Sequence, residues 1–298
     1  MRPRVLLVTS SSLPALIEDD RPLLPALVAR GIDPAVAVWD DPAADWAGAE
    51  VSVIRSTWDY TIRRDEYLAW SARAGRLTRL CNPGGVLAWN THKGYLLQLA
   101  ARGVPVVPTW LVRAGDAPAL DELAQANEMR RVVIKPAVGA GARGARVIAL
   151  DQAVDRAAGE AHLGALLASG DVLVQPFQAA ADGHGERSLV FFDGRFSHAM
   201  RKPSLLGCDV DQRSSPCIVP AVASSAELAA AEAVLVETAA LLALTEPLLY
   251  TRVDLVPDGA GAPQLMELEV TEPRLFLGDC EGACERLADA IARRCAGR

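Results

Sequence analysis

The sequence predicts a mixed α/β (α+β) protein in which an N-terminal parallel sheet is followed by two further lobes. Three observations lead to this fold class. The chain has 298 residues, 51% of them hydrophobic, which is enough for two or three lobes. Its first third alternates apolar strands with helices. Its second half contains paired strands joined by turn sequences.

The first third has the βαβ rhythm of a small parallel sheet. Its predicted elements are, in order, the strand Val5–Thr9, the helix Pro22–Arg30 ending at Gly31, and the strands Asp33–Trp39 and Val51–Ile54. Ligands of such sheets gather at the carboxyl ends of the strands. Two polar clusters follow strands here, Ser10–Ser12 and the sequence RSTWDY at 55–60.

The loop Asn82–Gly85 is interpreted as a domain boundary. After it, the predicted helices are Lys93–Ala101, Asp116–Glu128, Asp151–Ala168, Ser224–Leu244 and Glu281–Arg294. The predicted strands are Val106–Val112, Val132–Lys135, Ala145–Leu150, Val172–Gln175, Arg187–Phe192, Arg195–Arg201, Tyr250–Val256 and Gln264–Val270. Asp193-Gly194 signals a type I′ hairpin turn. We therefore expect an N-terminal domain at 1–88, a central subdomain at 89–175 and a C-terminal domain at 176–298.

Charge and apolar patterning exclude several classes of protein. A net charge of −7 and a pI near 5.2 argue against a binder of nucleic acid or membrane surfaces. No apolar run approaches the roughly 18 residues of a membrane span, and the first apolar run is interpreted as a strand, not as a targeting signal. We expect a cytoplasmic protein with six reduced cysteines. A metal or disulfide shared by Cys280 and Cys284, one helical turn apart, is left open.

Lysine is rare in this chain. Among 30 lysine and arginine residues only Lys93, Lys135 and Lys202 are lysines. Lysine is a compact point charge, whereas arginine is a planar fork. In a chain that uses arginine almost everywhere, we expect the remaining lysines to be enriched where an ammonium group is required.

The segment VVIKPAVGAGARGARVIAL carries a GxGxxG pattern at Gly139, Gly141 and Gly144. A dinucleotide-binding loop would lead into a helix, whereas a strand follows here, and a P-loop would require Gly-Lys-Ser/Thr. In a protein kinase the lysine follows the loop, whereas Lys135 precedes it. The remaining interpretation is a strand–glycine loop–strand unit whose amides cover phosphates beside Lys135. The alternative is an ordinary flexible hairpin.

The segment MELEVTEP at 266–273 places two acids on one face of a strand. If Asp254 pairs opposite Glu267, then Arg252 pairs opposite Glu269 and all four side chains share that face. A shift of one residue would move Asp254 to the other face. Three convergent carboxylates suit Mg²⁺ bound together with nucleotide phosphates. The alternative is a solvated sheet face with an Arg252–Glu269 surface pair.

In their order and spacing, these motifs resemble the ATP-grasp superfamily of carboxylate ligases, from Asn82 to about Leu277. The resemblance implies an ATP-grasp fold behind a pre-ATP-grasp domain, with ATP and Mg²⁺ (or Mn²⁺) as cofactors. It implies ATP-binding roles for Lys93, Lys135, Gly139, Gly141, Gly144, Gln175, Phe177 and Glu186. Among these, Gln175 and Phe177 belong to a hinge strand, 171–177, that resembles the one holding adenine, and Glu186 resembles the acid that binds the ribose hydroxyls. It implies metal binding by Asp254, Glu267 and Glu269, where the superfamily often has asparagine in the last position, and catalytic roles for Lys202 and Arg252. All three lysines then belong to one site.

RSTWDY and VTEPRLFL resemble the branch of this superfamily that closes O-ureido-D-serine to D-cycloserine with release of ADP and phosphate. This implies an amino-acid-like substrate, with no nucleic-acid or membrane partner and a homo-oligomer left open. The candidate substrate-binding residues are Arg55, Ser56, Thr57, Asp59, Thr271 and Arg274, because Arg55 or Arg274 could fork a carboxylate. A purely structural RSTWDY, with Trp58 and Tyr60 in the core and an Arg55–Asp59 pair, is the alternative. An intermolecular carboxylate–amine ligase and a non-catalytic ATP-binding protein also stay open.

Overall fold

The computed structural model of the protein describes residues 2–116, 118–127, 129–178, 185–203 and 218–296. In this range the strands are β1 (Arg4–Thr9), β2 (Asp33–Val38), β3 (Val51–Ser56), β4 (Arg79–Cys81), β5 (Trp110–Val112), β6 (Arg131–Pro136), β7 (Arg146–Ala149), β8 (Val172–Pro176), β9 (Glu186–Phe192), β10 (Arg195–Lys202), β11 (Val219–Ala221), β12 (Tyr250–Pro257) and β13 (Pro263–Glu269). The α-helices are α1 (Leu23–Val28), α2 (Arg64–Ala74), α3 (Gly84–Asn90), α4 (Tyr95–Ala101), α5 (Leu120–Ala126), α6 (Ala153–Leu167), α7 (Ser225–Leu241) and α8 (Ala283–Ala296).

The N-terminal sheet is parallel, as the strand–helix alternation predicted. Its order is β2-β1-β3-β4, which places β3 in the interior with all six residues buried. Helix α2 was not predicted, because five of its eleven residues are polar and obscure its apolar face. It packs through Tyr67, Trp70, Ser71 and Ala74, which have the i, i+3, i+4, i+7 spacing of one helix face. Strand β4, which α2 leads into, is only three residues long.

The central sheet is antiparallel, with the order β5-β8-β6-β7. Helices α5 and α6 cover it, and their apolar faces form one core with the sheet. The predicted strand at 106–112 is shorter than expected, since only Trp110–Val112 joins this sheet. Val106 instead bridges to Leu265 of the third sheet. The segment before β5 therefore crosses from one sheet to the other.

The third sheet is antiparallel, with the order β11-β10-β9-β12-β13. The β9–β10 hairpin turns at Asp193 and Gly194, whose φ angles are +49° and +72°. Positive φ at both positions is what a type I′ turn requires, so this prediction is confirmed. Helix α7 begins with a capping box between Ser224 and Glu227. Helix α8 packs against α1 and joins the first and third sheets through a shared apolar core.

The predicted loop at Asn82–Gly85 needs a correction, because helix α3 already begins at Gly84. Pro83 precedes the first helical turn, where its missing N–H costs nothing. The Asn82 side chain donates to the carbonyls of Tyr250 and Val270, at 2.9 and 2.7 Å. Tyr95 of α4 donates its hydroxyl to the Leu268 carbonyl. Helices α3 and α4 therefore pack on the third sheet, and the domain boundaries at 88 and 175 stay predictions.

The described part of the chain contains no helix that combines the length and the apolar character needed to cross a membrane. Cys280 and Cys284 are free thiols, as is Cys81. The disulfide left open by the spacing of Cys280 and Cys284 is therefore not formed. Instead, the Cys280 sulfur lies 3.3 Å from the sulfur of Met200. Cys208 and Cys217 lie outside the described residues.

Candidate active site

A cleft of about 1620 Å³ opens where the three sheets meet. Its walls come from the loop after β1, the turn after β3, the glycine loop between β6 and β7, the acidic face of β12 and β13, and the loop after β13. Each of these segments lies at the end of a strand or on an exposed sheet face, where side chains are not needed for the core. Polar residues from distant parts of the chain therefore meet in one place.

The pairing register of β12 and β13 is the one on which the metal-site hypothesis depended. Asp254 lies opposite Glu267, and Arg252 lies opposite Glu269. Because side chains two residues apart share a face, all four project to the same side of the sheet. The apolar residues between them, such as Leu268, fill the core on the other side. The predicted register is confirmed.

Asp254 lies at the base of this face and is 1% exposed. Its carboxylate accepts hydrogen bonds from Ser188 at 2.6 Å, from Lys202 Nζ at 2.9 Å and from Arg252 Nη2 at 2.8 Å. Burial acts to raise the pKa of Asp254, but the charges of Arg252 and Lys202 outweigh it and hold the pKa well below its usual value. Asp254 therefore stays ionised and fixes both cations side by side.

The other acids of the site are less completely neutralised. Glu186 is ion-paired with Lys202, and Glu269 with Arg252. Burial raises the pKa of each to about 7, against the lowering effect of the paired cation. These cations are shared with Asp254, so each carboxylate receives only part of a positive charge. The negative charge of this face is therefore incompletely neutralised, and an additional cation would be attracted to it.

Glu267 meets the lysine side of the cleft. Its carboxylate lies 3.0 Å from Lys93 Nζ, and Lys93 also donates to the carbonyl of Gly139 in the glycine loop. Burial acts to raise the pKa of Glu267, but Lys93 and Lys135 together lower it below its usual value. Lys135 is partly buried at the end of β6 and forms no ion pair with any described residue. Burial lowers the pKa of Lys135, as expected for an ammonium group that has lost contact with water and has no ion-pair partner among the described residues.

The three lysines therefore gather around one group of acids. Lys93 and Lys202 line the cleft, and the charges of Lys93 and Lys135 both act on Glu267. This is the clustering expected if the few lysines of the chain were retained for one anion site.

The donors of the site fit Mg²⁺ in one specific way. Glu267 and Glu269 line the cleft, whereas Asp254 lies behind them beneath Arg252 and Lys202. Within the described residues, no three metal-ligating side chains form a ready-made cage. Mg²⁺ is usually held by one or two carboxylates together with waters and substrate phosphates. The residues therefore fit a shared protein–phosphate site, and the three-carboxylate ligand set stays a prediction.

The glycine loop joins the antiparallel strands β6 and β7, which confirms the predicted strand–loop–strand unit. Gly141 and Gly144 have φ angles of +63° and +76°, which favour glycine. Most of the loop lines the cleft. At its tip, the Arg143 guanidinium lies 3.4 Å from the carbonyl of Trp58 and 3.3 Å from Thr61 Oγ1. The loop therefore reaches across the cleft to the N-terminal domain.

The predicted adenine-binding residues lie away from the described cleft. The buried side chain of Gln175 donates to Thr109 Oγ1 at 2.7 Å. The backbone N–H of Phe177 donates to the Arg131 carbonyl, and the Arg131 guanidinium stacks 3.9 Å from the centre of the Phe177 ring. Residues 179–184 lie outside the described residues. Roles for Gln175 and Phe177 at adenine, and for Glu186 at ribose, stay predictions.

Four of the six candidate substrate-binding residues lie beneath the cleft, which corrects the sequence-based placement. Arg55 is 1% exposed, pairs with Asp20 at 2.9 Å and donates to the Pro273 carbonyl at 2.9 Å. The other three are bonded in the same way, Ser56 to Asp20, Thr57 to Tyr67 and Thr271 to Asn90. They are covered because β3 is an interior strand whose end lies under the loop after β13. The Arg55 guanidinium has no face left for a substrate carboxylate.

The structural alternative for RSTWDY holds in part. Tyr60 is 4% exposed, as that alternative expected, but Trp58 lines the cleft and donates its indole N–H to the Glu272 carbonyl at 3.1 Å. Asp59 does not pair with Arg55. It accepts from Trp39 Nε1 at 3.1 Å and also lines the cleft, as does Arg274. Asp59 and Arg274 are therefore the two substrate candidates that reach it.

Glu272 and Asp19 are two acids that line the cleft and were not among the candidate site residues. Glu272 follows the acidic strand and is 6% exposed, and burial together with the charge of Glu269 raises its pKa to about 8. Its presence inside MELEVTEP was the available signal. Asp19 lies in the acidic turn Glu18–Asp20 after β1. Such a run more often indicates a solvated surface, so no local signal distinguished it.

Comparisons with known proteins agree with this geometry. A family model described as "D-cycloserine synthetase DcsG, N-terminal domain" matches residues 5–82. The cycloserine biosynthesis protein DcsG of Streptomyces lavendulae is 37% identical over 303 residues, covering 97% of each chain. A crystal structure of D-cycloserine synthetase DcsG superposes with a TM-score of 0.91 at 36% identity, covering 98% of this chain and 99% of that one.

A more distant structure shows the fold alone. The RimK domain ATP-grasp protein of Sphaerobacter thermophilus superposes with a TM-score of 0.68 at 19% identity, over 96% of this chain and 98% of that one. The ATP-grasp fold, expected from the motifs, is confirmed. The full-length match at 37% identity carries the closer assignment. This protein is therefore a member of the DcsG family of ATP-grasp ligases.

Proposed function

We propose that this protein closes O-ureido-D-serine to D-cycloserine in an ATP-dependent reaction that releases ADP and phosphate. The observation that carries the proposal is the pair of adjacent cations, Lys202 and Arg252, fixed on Asp254 at the wall of a cleft that the glycine loop covers. A pair of this kind is suited to neutralising a phosphoryl group in transfer. Membership of the DcsG family over the full chain supports the choice of substrate.

The reaction has two bond-forming steps. An oxygen of the substrate carboxylate attacks the γ-phosphorus of ATP, the bond to ADP breaks, and an acyl phosphate forms. The ureido nitrogen of the same molecule then attacks the acyl carbon and loses its proton, and phosphate leaves with the bonding electron pair. Water finally removes the carbamoyl group as carbon dioxide and ammonia. Because nucleophile and electrophile belong to one molecule, ring closure gains from proximity.

Different charged residues of the cleft act on different parts of this reaction. Lys93 and Lys135 receive the nucleotide phosphates beneath the glycine loop, whose backbone amides donate to phosphate oxygens. Lys202 and Arg252 take the charge of the transferring phosphoryl group, and Asp254 holds both in position. Glu267 and Glu269, with Asp254, would hold Mg²⁺ (or Mn²⁺), which when bound would supply Lewis-acid neutralisation of the phosphates.

The substrate end of the cleft lies between the N-terminal domain and the loop after β13. Asp59, Trp58 and Arg274 line this part of its wall, and Glu272 lies beside them. The buried residues Arg55 and Thr271 support this wall from behind through their internal hydrogen bonds. The pocket therefore offers both charge signs to a small amino acid.

The test is product analysis with purified protein, ATP, Mg²⁺ and O-ureido-D-serine. We expect D-cycloserine, ADP and phosphate in equal amounts, with no turnover in the absence of the divalent ion. Lys202→Met is expected to abolish product formation, whereas Arg195→Met, an exposed change at the far end of the same strand, leaves it intact. ADP formation that requires a separate amine would establish an intermolecular ligase. AMP and pyrophosphate as products would refute the acyl-phosphate account.

A further inference from the structure

Asp19 is a buried acid at the edge of the cleft that the proposed reaction does not yet use. It lies in the short 3₁₀ turn Glu18–Asp20, and its side chain is only 7% exposed. One carboxylate oxygen, Oδ1, accepts a hydrogen bond from the backbone N–H of Gly278 at 3.0 Å. The other, Oδ2, is buried and has no hydrogen-bond partner among the described residues. One carboxylate oxygen thus holds Asp19 in place, and the other oxygen has no hydrogen bond among the described residues.

Arg274 faces Asp19 across the cleft wall with an unused donor. Its Nε forms a long ion pair with Asp19 Oδ2 at 3.9 Å, which is too far for a hydrogen bond, and this nitrogen is also buried without a hydrogen-bond partner in the described part of the protein. The same guanidinium donates Nη2 to Asp279 at 2.9 Å. Buried polar atoms are nearly always bonded, so two unbonded atoms of opposite charge that face each other call for an explanation.

The position of these two atoms connects them with the reaction centre. The Arg252 guanidinium donates to the backbone carbonyl of Arg274 at 3.1 Å. Arg252 and Arg274 also lie over the same aromatic ring, at 5.7 and 5.1 Å from the centre of Phe276. Arg252 and Arg274 therefore lie on one stretch of the cleft wall, which Asp19 also lines.

We propose that Asp19 is the subsite for the α-ammonium group of the amino-acid substrate and that Arg274 Nε donates to an oxygen of the same substrate. The inference deepens the proposed function and rests on it. An α-ammonium group is separated from the carboxylate by one carbon, and Arg252, Arg274 and Asp19 all line the same cleft. The α-ammonium group carries three hydrogen-bond donors and a positive charge. Asp19 Oδ2 is an acceptor without a hydrogen bond, on a side chain that carries a negative charge.

The neighbouring acid, Asp20, cannot bind the α-ammonium group. Both carboxylate oxygens of Asp20 are already bonded, one to Arg55 and the other to Ser56. Glu18 is exposed on the same turn. Asp19 is therefore the acid of this turn that is both shielded from water and incompletely bonded, which is the condition under which a charged hydrogen bond contributes most to recognition.

The test compares O-ureido-D-serine with its deamino analogue, 3-(ureidooxy)propanoate, in which hydrogen replaces the α-ammonium group. Asp19→Asn retains an oxygen for the Gly278 amide but loses the negative charge. We expect it to lower kcat/KM for the amino substrate by roughly 10- to 100-fold, the worth of one hydrogen bond to a charged group. The deamino analogue and the KM for ATP should change by less than about twofold, because neither uses that charge. Asp19→Glu should keep the preference for the amino substrate, as should the matched control Glu18→Gln.

Each outcome decides a different statement. An unchanged preference for the amino substrate in Asp19→Asn overturns the inference, as does an equal loss for both compounds, since that indicates a merely structural role. Thermal unfolding of each variant identifies loss of folding, in which case Arg274→Gln is measured with the same two compounds. If the unmodified protein forms no cycloserine, the proposed function fails. The inference is then judged by ADP release with other amino acids and their deamino analogues, and equal rates for the two sets overturn it.

Discussion

The buried pair Arg55–Asp20 offers a direct test of whether RSTWDY serves the fold or the substrate. Both side chains are fully shielded from solvent, and Arg55 donates to Asp20 Oδ1 from Nε at 3.1 Å and from Nη2 at 2.9 Å. It also donates to the Pro273 carbonyl, which connects the N-terminal sheet to the loop after β13. Arg55→Met keeps much of the side-chain volume but removes these three bonds and the bond from Nη1 to the Ile54 carbonyl at 3.4 Å, and it leaves Asp20 buried without its counter-charge.

The magnitude follows from the burial of the pair. Breaking a buried ion pair by removing one partner costs about 3–5 kcal/mol, because the remaining charge stays desolvated. In a chain of this size each kcal/mol lowers Tm by about 2 °C, so we expect a decrease of roughly 6–10 °C. Arg4→Met is the matched control in the same sheet. Its ion pair with Asp45 spans 3.6 Å and is about half exposed, so the expected cost is about 1 kcal/mol or less.

The assay is thermal unfolding together with steady-state kinetics for the substrate. We expect the variant to lose stability, with substrate affinity preserved at temperatures where it stays folded. The double variant Asp20→Asn/Arg55→Met should be less destabilised than the sum of the single changes, since the two side chains interact directly. A normal Tm combined with a large rise in KM would show that Arg55 contacts the substrate, and the structural interpretation would be refuted.

Three further outcomes are expected. Lys135→Met should abolish turnover without lowering Tm, since it removes a partly buried cation that is unpaired within the described residues; an active variant would mean that the phosphate site lies elsewhere. Gly144→Ala should raise the KM for ATP, because φ is +76° and the new Cβ would lie 3.2 Å from Pro136, whereas Gly164→Ala, in open space on α6, should stabilise the protein by about 0.4–1 kcal/mol. His198 should contribute stability that is lost as the pH drops from 6.5 towards 4. Burial lowers the pKa of His198 to about 4, so over this range the unfolded chain binds a proton that the folded protein excludes; on acidification over this range, the Tm of His198→Gln should therefore rise relative to that of the unmodified protein.

Local chemistry explains why the acidic hairpin could be predicted from the sequence. Alternation along 264–270 assigns Glu267 and Glu269 to one face whatever the neighbouring strand does. A matching alternation places Arg252 and Asp254 together on the preceding strand. Only two registers then compete, and the one that buries Leu268 while exposing the acids is favoured by the apolar core. The glycine loop was predictable for a similar reason, since both of its flanking strands are apolar and short.

Helices and strands with weak hydrophobic patterns were not predicted from the sequence. Helix α2 has the sequence RDEYLAWSARA, whose polar residues hide its buried face, and β4 has only three residues. Helix α3 begins at Gly84, where two successive glycines favour a loop in an isolated peptide. Packing of Val86 and Leu87 into two different cores outweighs that preference. Tertiary contacts supply the free energy that local propensity lacks.

The sequence by itself determined which residues can carry charge, which strand face they occupy and how few lysines are available for an anion. Only the tertiary structure decided which polar groups meet. RSTWDY and MELEVTEP both read as polar strand ends, yet Arg55 is buried against Asp20, 35 residues earlier in the chain, while Glu267 and Glu269 line the cleft. The difference arises because burial depends on what distant segments pack over a strand end, and the loop at Pro273 covers one of them. For the same reason Asp19 and Arg274, more than 250 residues apart in sequence, face each other only in the folded chain.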